Sequence, residues 1–149
     1  GRCVMSVLFT DTMTVFNHFC EEGKDSWKRT VINGVQWRHS KKELIVAKGV
    51  QAEERVESVT VDFSRGYGRP SYVEPIQYGT LSAEERAVSW TLNSKNGLDI
   101  IALGEVSEEI SSEDDIDSLR KKYPYVVLVS SVADNRNRPR LKHIRVVGK

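Results

Sequence analysis

Little in this chain would staple, tether or polarise it. Its two cysteines, Cys3 and Cys20, are too few for a disulfide scaffold, and no CxxC or Cys–His spacing marks a zinc site. Such usage reads as two reduced thiols made in a cytosol. No apolar run approaches the roughly 20 residues of a membrane span, and no hydrophobic segment follows a basic start, so no membrane partner is expected. Neither sign of charge prevails: 22 Lys and Arg stand against 21 Asp and Glu, a net charge of +1 that gives no support to a dedicated nucleic-acid binder.

Catalytic grammar is lacking too. His18, His39 and His143 stand in no recognised catalytic context, and Ser26, Ser89 and Ser130 lack a glycine-flanked elbow. Glu53-Glu54, Glu84-Glu85 and Glu108-Glu109 are sequence neighbours, whereas a glycosidase needs two acids held on facing strands. The acidic tract Glu113 to Asp117 lacks the calcium-loop spacing with its glycine. The segment SRGYGRP, Ser64 to Pro70, has no GK[ST] and does not lead from a strand into a helix, so it is no phosphate loop. The residues therefore indicate a non-enzyme, with neither cofactor nor metal.

What the chain does have is strand grammar. Its 149 residues suit a single β-rich domain, 1–149, burying roughly two thirds of the unfolded surface. The composition, 39% hydrophobic and 29% charged, allows a modest core in a charged surface. The chain opens on Gly, so Gly1 to Val4 read as added residues or a displaced start, with Met5 or Met13 as the native beginning. Strands are expected at Val4–Phe9, Thr12–Phe19, Trp27–His39, Leu44–Val50, Val56–Phe63, Ala87–Leu92 and Leu98–Val106. Asn33-Gly34 reads as a bulge within one long strand, because the arms of a hairpin there would be very short. Tyr72 to Tyr78 reads as extended, with Pro75 placing it at a sheet edge or on a covering arm.

One helix is expected. Ser111 or Ser112 caps it, Glu113, Asp114 and Asp115 place negative charge on its first turn, and Ile116, Leu119 and Tyr123 form an apolar stripe before Pro124 ends it. A C-terminal hairpin follows, Tyr125–Val132 and Leu141–Val147, around the turn-forming tract Ala133 to Pro139. The fold class is mainly β: a small antiparallel β-barrel or sandwich with one short helix before the C-terminal hairpin, plugging or flanking it.

Charge is segregated along this frame. Glu105 to Asp117 carries acids and no base, and Arg136 to Lys149 carries bases and no acid. The hairpin loop presents Arg136, Arg138 and Arg140 with only Asp134 to offset them locally, and a loop held by strands presents side chains at low entropic cost. Arg65, Tyr67 and Arg69 in the glycine-containing loop are of the types enriched at protein interfaces. These six residues, with Asp114 and Asp115 as an acidic counterpart, are the candidate partner-binding residues.

The segments FTDTMTVFNHF, WKRTVINGVQWRHS and GLDIIALGEV, followed by KKYPYVVLVSSVADNRNRPRLKHIRVVGK, together resemble uncharacterised proteins of tailed-bacteriophage structural modules. Those look like the head-completion group of head–tail connectors, stoppers and minor capsid proteins. Members run from an opening strand to a "GD-I-G" strand pair and a closing "V-D-R…H-V-G". Here NGLD, Asn96 to Asp99, replaces Gly-Asp, and a helix extends the region Glu108 to Lys122. The resemblance implies a non-enzymatic virion protein, made in the bacterial host cytoplasm, that docks as a homo-oligomeric ring on portal, adaptor or tail proteins, closes the filled head and receives the tail. It also allows the glycine–arginine loop to face DNA in the channel. The alternative from another class is an oligonucleotide-binding β-barrel, with the basic hairpin, Tyr67, Tyr72 and Trp90 lining a groove. A small hydrolase stands last, for want of nucleophile, base and metal.

Overall fold

A computed structural model of the chain describes residues 10–46, 50–63, 71–95, 97–137 and 142–149, and for 40–46 and 50–55 it describes the backbone. Strands β1 (Asp11–Glu21) and β2 (Lys24–Val46) form an antiparallel hairpin closed by Glu22 and Gly23. Both turn residues have positive φ, 52° and 77°, the hairpin turn whose twist matches that of its strands. β2 passes through Asn33-Gly34 without reversing. Its partners step from Thr12↔Asn33 to Asp11↔Val35, and Gly34 takes φ 76°, so the pair is the expected bulge.

Strand β3 (Val50–Asp62) runs back along β2 from Val46↔Val50 to Val35↔Val61. The expected separate strand at 44–50 is therefore corrected: its first residues end β2 and its last begins β3. The expected strand at 4–9 lies outside the described residues.

After β3 the chain makes an excursion. β4 (Ser71–Tyr72) pairs in parallel with β5 (Ser89–Trp90), and between them lie α1 (Pro75–Tyr78) and α2 (Ala83–Ala87). The extended reading of 72–78 holds only up to the proline. Pro75 occupies the start of α1, where its fixed φ suits a helix and its missing N–H would have had no partner. α2 was not expected. A capping box starts it: Ser82 accepts from the Glu85 N–H and the Glu85 carboxylate accepts from the Ser82 N–H.

β6 (Ile100–Leu103), α3 (Glu113–Lys122), β7 (Val126–Asp134) and β8 (His143–Gly148) complete the fold. The strand order is β1-β2-β3-β8-β7-β6, with β6 pairing back onto β1 and every neighbour antiparallel. This is the expected mainly-β, barrel-like architecture with a helix before the C-terminal hairpin.

Two cores explain why β1 is apolar on both faces. Inside the ring, Met13, Val15, Ile32, Val35, Val59, Val61, Ile101, Ile144 and Val146 pack with Trp90 and Leu92 from the excursion. Outside it, Phe16, Trp27, Ile100, Ala102 and Val126 are covered by Val106, Ile110, Ile116 and Leu119, so α3 flanks the ring. Truncating a buried aromatic such as Trp90 to Ala would cost about 3–5 kcal/mol.

One part leaves the ring. β3 pairs with β8 only over Glu57–Asp62, and β2 pairs with β1 only as far as Val35. Among the described residues, the rungs from Lys41↔Arg55 to Val46↔Val50 have no third strand beside them. No helix among these residues is long and apolar enough to cross a membrane.

Candidate interaction surface

The cationic hairpin is built differently from its sequence expectation. At the end of β7 the Asp134 carboxylate accepts the Arg136 backbone N–H at 3.0 Å, the local turn that Asp favours. The same carboxylate takes Arg136 Nε at 2.9 Å and Nη2 at 2.7 Å. Nη2 also reaches Glu74 Oε1 at 2.6 Å, just ahead of α1. The guanidinium lies 4.7 Å from the Tyr72 ring centre and 5.6 Å from that of Phe63. Beneath it, Trp90 stacks on Phe63 and meets Tyr72 edge-on.

The electrostatics follow from these contacts. Hydrogen bonds from Arg136 hold Asp134 below the usual carboxylate range, and Asp134 in turn raises the guanidinium. Burial, helped by Glu74, pushes the Tyr72 hydroxyl up to about 12. Arg136 is thus paired within its own chain, with Glu74 joining the Asp134 expected to offset it. Arg138 and Arg140 lie outside the described residues, as do Arg65, Tyr67 and Arg69.

Beside this cluster runs a groove of ≈ 490 Å³. Tyr72, Leu92 and Val132 give it apolar lining, and Glu74, Lys95 and Asp134 supply charge. Ile76 on α1 also lines it and is 88% exposed, a large apolar side chain left in water. Apolar and charged side chains combined around an exposed isoleucine suit a protein-binding patch.

A protein-family model described as a family of unknown function, DUF6751, matches residues 8–149. The chain belongs to this family. No curated protein and no solved structure matches it. The DUF6751 match spans every described element, so ring, excursion and C-terminal hairpin all fall within the family's own extent.

Of the acidic counterparts in this DUF6751 chain, Asp114 is exposed on the first turn of α3. Asp115 accepts Ser111 N–H at 3.0 Å and Ser111 Oγ at 2.8 Å, bonds that lower its pKa. Ser112 sits at the N-cap but makes no side-chain cap bond, so the expected capping is replaced by this Ser111–Asp115 pair. Among the described residues, no hydrogen bond or ion pair joins Arg136 to Asp114 or Asp115.

Trp90 corrects another expectation. The oligonucleotide-binding alternative needs Trp90 to line a groove, but it is 1% exposed because the excursion folds it into the ring. Each histidine has a polar neighbour: His18 meets Asp25 at 2.8 Å, His39 Nδ1 meets the buried Glu57 at 2.6 Å, and His143 meets Asn135 at 3.2 Å.

The residue that the sequence reading underrated is Asp99, buried at 1% exposure. Its carboxylate accepts the His18 N–H at 2.9 Å, the Asn93 N–H at 3.0 Å and Asn17 Nδ2 at 3.0 Å. Asn17 Oδ1 also takes the Thr91 N–H at 3.1 Å, tying the excursion to β1. The available signal was an Asp directly before an apolar strand, in the NGLD segment.

Proposed function

We propose that this chain is a non-enzymatic structural subunit of a tailed-phage virion that docks at the portal vertex, helps close the filled head and joins the tail. Its partners in this reading are portal or adaptor and tail proteins, with further copies of itself forming a ring and the 64–70 loop available to channel DNA. The observation that carries the reading is the β2–β3 ribbon beyond the ring. A two-stranded ribbon is marginal alone in water, and a third strand or a packed face makes such a ribbon stable. Among the described residues no third strand borders the rungs from Lys41↔Arg55 to Val46↔Val50, and such an edge offers a neighbour main-chain hydrogen bonds, the means by which one protein adds a strand to another. The last rungs, Leu44↔Ala52 and Val46↔Val50, are apolar in sequence, as a surface that becomes covered would be. The groove beside Ile76 offers a second contact, and the residue resemblance to head-completion proteins points the same way.

Head–tail joining in extracts tests the reading. Filled heads made without this chain should stay separate from tails, and adding the purified chain should join them. Replacing residues 42–54 with a two-residue Asn-Gly turn should abolish joining while leaving the ring folded by circular dichroism. Tails that join heads equally well without the chain would refute the virion role. Normal joining by the shortened protein would remove the ribbon from it.

A further inference from the structure

Three donor groups of different chemistry converge on one face of the β1–β2 hairpin. His18 and Cys20 are two residues apart on β1 and so share one side of the pleat, and Asp25 lies directly across from Cys20 on β2. His18 Nε2 is 2.8 Å from Asp25 Oδ1, Cys20 Sγ is 3.8 Å from the same oxygen, and all three donor atoms fall within 4.8 Å of one another. We propose that His18, Cys20 and Asp25 bind one divalent cation of the zinc class, with water as the fourth ligand.

The geometry suits that ion. Tetrahedral zinc with bonds of about 2.0–2.3 Å sets its donors about 3.3–3.7 Å apart. The observed separations bracket that interval, and Cys20 and Asp25 are both exposed and free to adjust by rotation. The third donor is already fixed. The His18 side chain is 12% exposed, its ring meets Trp27 edge-on at 5.2 Å, and its backbone N–H is held by Asp99. The two-residue turn at Glu22 and Gly23 sets the register that places Asp25 opposite Cys20.

The two β1 residues also border a cavity, one that Asp25 does not line. His18 and Cys20 line a cavity of ≈ 340 Å³ together with Tyr78. Tyr78 is 2% exposed, and its hydroxyl has no hydrogen-bond partner among the described residues. One imidazole nitrogen, one thiolate and one carboxylate form a set that favours zinc-like ions over calcium or magnesium, which take oxygen ligands. Cys20 gives up its thiol proton on binding, because the thiolate is the ligand. Arg86 lines the same cavity and opposes a cation, but its guanidinium is drawn onto the Phe19 ring at 4.1 Å and donates to the Leu81 carbonyl at 2.9 Å.

The test uses tag-free protein carrying Cys3→Ser, so that Cys20 is its only thiol, titrated with Co²⁺ as the spectroscopic substitute for Zn²⁺. Saturation at one ion per chain is expected, with a thiolate-to-cobalt charge-transfer band that Zn²⁺ abolishes. Cys20→Ser should lose the band, and His18→Gln and Asp25→Asn should each weaken binding about tenfold or more. Zn²⁺ should also slow alkylation of Cys20 in the parent and leave the rate unchanged in His18→Gln, a readout independent of Cys20→Ser folding. Absence of the band, its survival in Cys20→Ser, or equal zinc protection in parent and His18→Gln would overturn the proposal.

Discussion

Arg136 and Glu74 stand 62 positions apart in the chain and meet at 2.6 Å, fastening the C-terminal hairpin to the start of α1. The same guanidinium is gripped by Asp134 and laid over Tyr72 and Phe63. Arg136→Ser removes the ion pairs, the ring contacts and the packing of the stem together. Exposed pairs contribute up to about 1 kcal/mol and a cation–ring contact at an exposed site about 0.5–1 kcal/mol, so a loss of about 1–2 kcal/mol is expected. Glu74→Gln, which leaves the Asp134 bonds in place, should cost under about 1 kcal/mol. Urea unfolding of both variants decides the matter. A change within about 0.5 kcal/mol for Arg136→Ser, the range of an ordinary surface substitution, would show that this anchor carries no stability.

Asp99 should be the most sensitive polar position among the described residues. Its carboxylate satisfies the backbone N–H groups of His18 and Asn93 and the Asn17 amide, joining β1 to the stretch after β5. Asp99→Ala strands those donors in the interior, and each unmet group costs about 1–3 kcal/mol. A loss of at least about 3 kcal/mol is expected, with a parallel gain in amide exchange at His18 and Asn93. A variant as stable as the parent would mean that water replaces the carboxylate.

Glu108 gives the pH dependence a definite sign. Its carboxylate bonds Lys122 and Tyr123, and with the Lys122 bond the larger cause its pKa falls from 4.5 to about 2. A carboxylate depressed on folding stabilises the native state fully above its unfolded pKa, and that contribution fades as pH falls through the folded value. The stability gap between parent and Glu108→Gln should therefore be constant above about pH 5, narrow between 4.5 and 2, and vanish below. Melting temperatures of the pair across that range measure it. A gap that widens toward acid would reverse the assignment.

Local chemistry made most of the ring legible, and long-range pairing hid the rest. The bulge at Asn33-Gly34 could be anticipated because Gly34 alone accounts for the positive φ that lets β2 continue. α3 was readable from its charges, acidic at the start and basic at the end. α2 carried a signature in Ser82 and Glu85 but spans Ala83–Ala87 alone, shorter than an apolar period can reveal. The 44–50 stretch places Ala47, Lys48 and Gly49, poor strand formers, between Leu44–Val46 and Val50, a break that its apolar ends obscure. At the candidate surface, Asp134 was visible beside Arg136, whereas Glu74 and the aromatic bed arrive only through the tertiary fold. The His18, Cys20 and Asp25 cluster was within reach, since a two-residue turn at Glu22-Gly23 already sets Cys20 opposite Asp25.

Gly148 shows how tightly the end of the ring is drawn. It closes β8 opposite Glu57 on β3 and Val129 on β7, and the flanking Lys149 and Leu128 exchange both backbone hydrogen bonds at 3.1 Å. A Cβ built on Gly148 would overlap the Val127 side chain and lie 2.8 Å from the Leu128 carbonyl oxygen. Its φ does not fall in the positive range, so conformational strain is not what demands a glycine here. The constraint is space. Val127 belongs to the interior core and the Leu128 carbonyl to the β7 backbone, so neither can retreat without loosening β7 against β8. Gly148→Ala should cost about 1–3 kcal/mol through overpacking. Gly148→Ala combined with Val127→Ala, which removes the nearest obstruction, should lose less than the two single changes summed, as coupled neighbours do. Strict additivity in denaturation midpoints would show that the Leu128 carbonyl alone sets the limit.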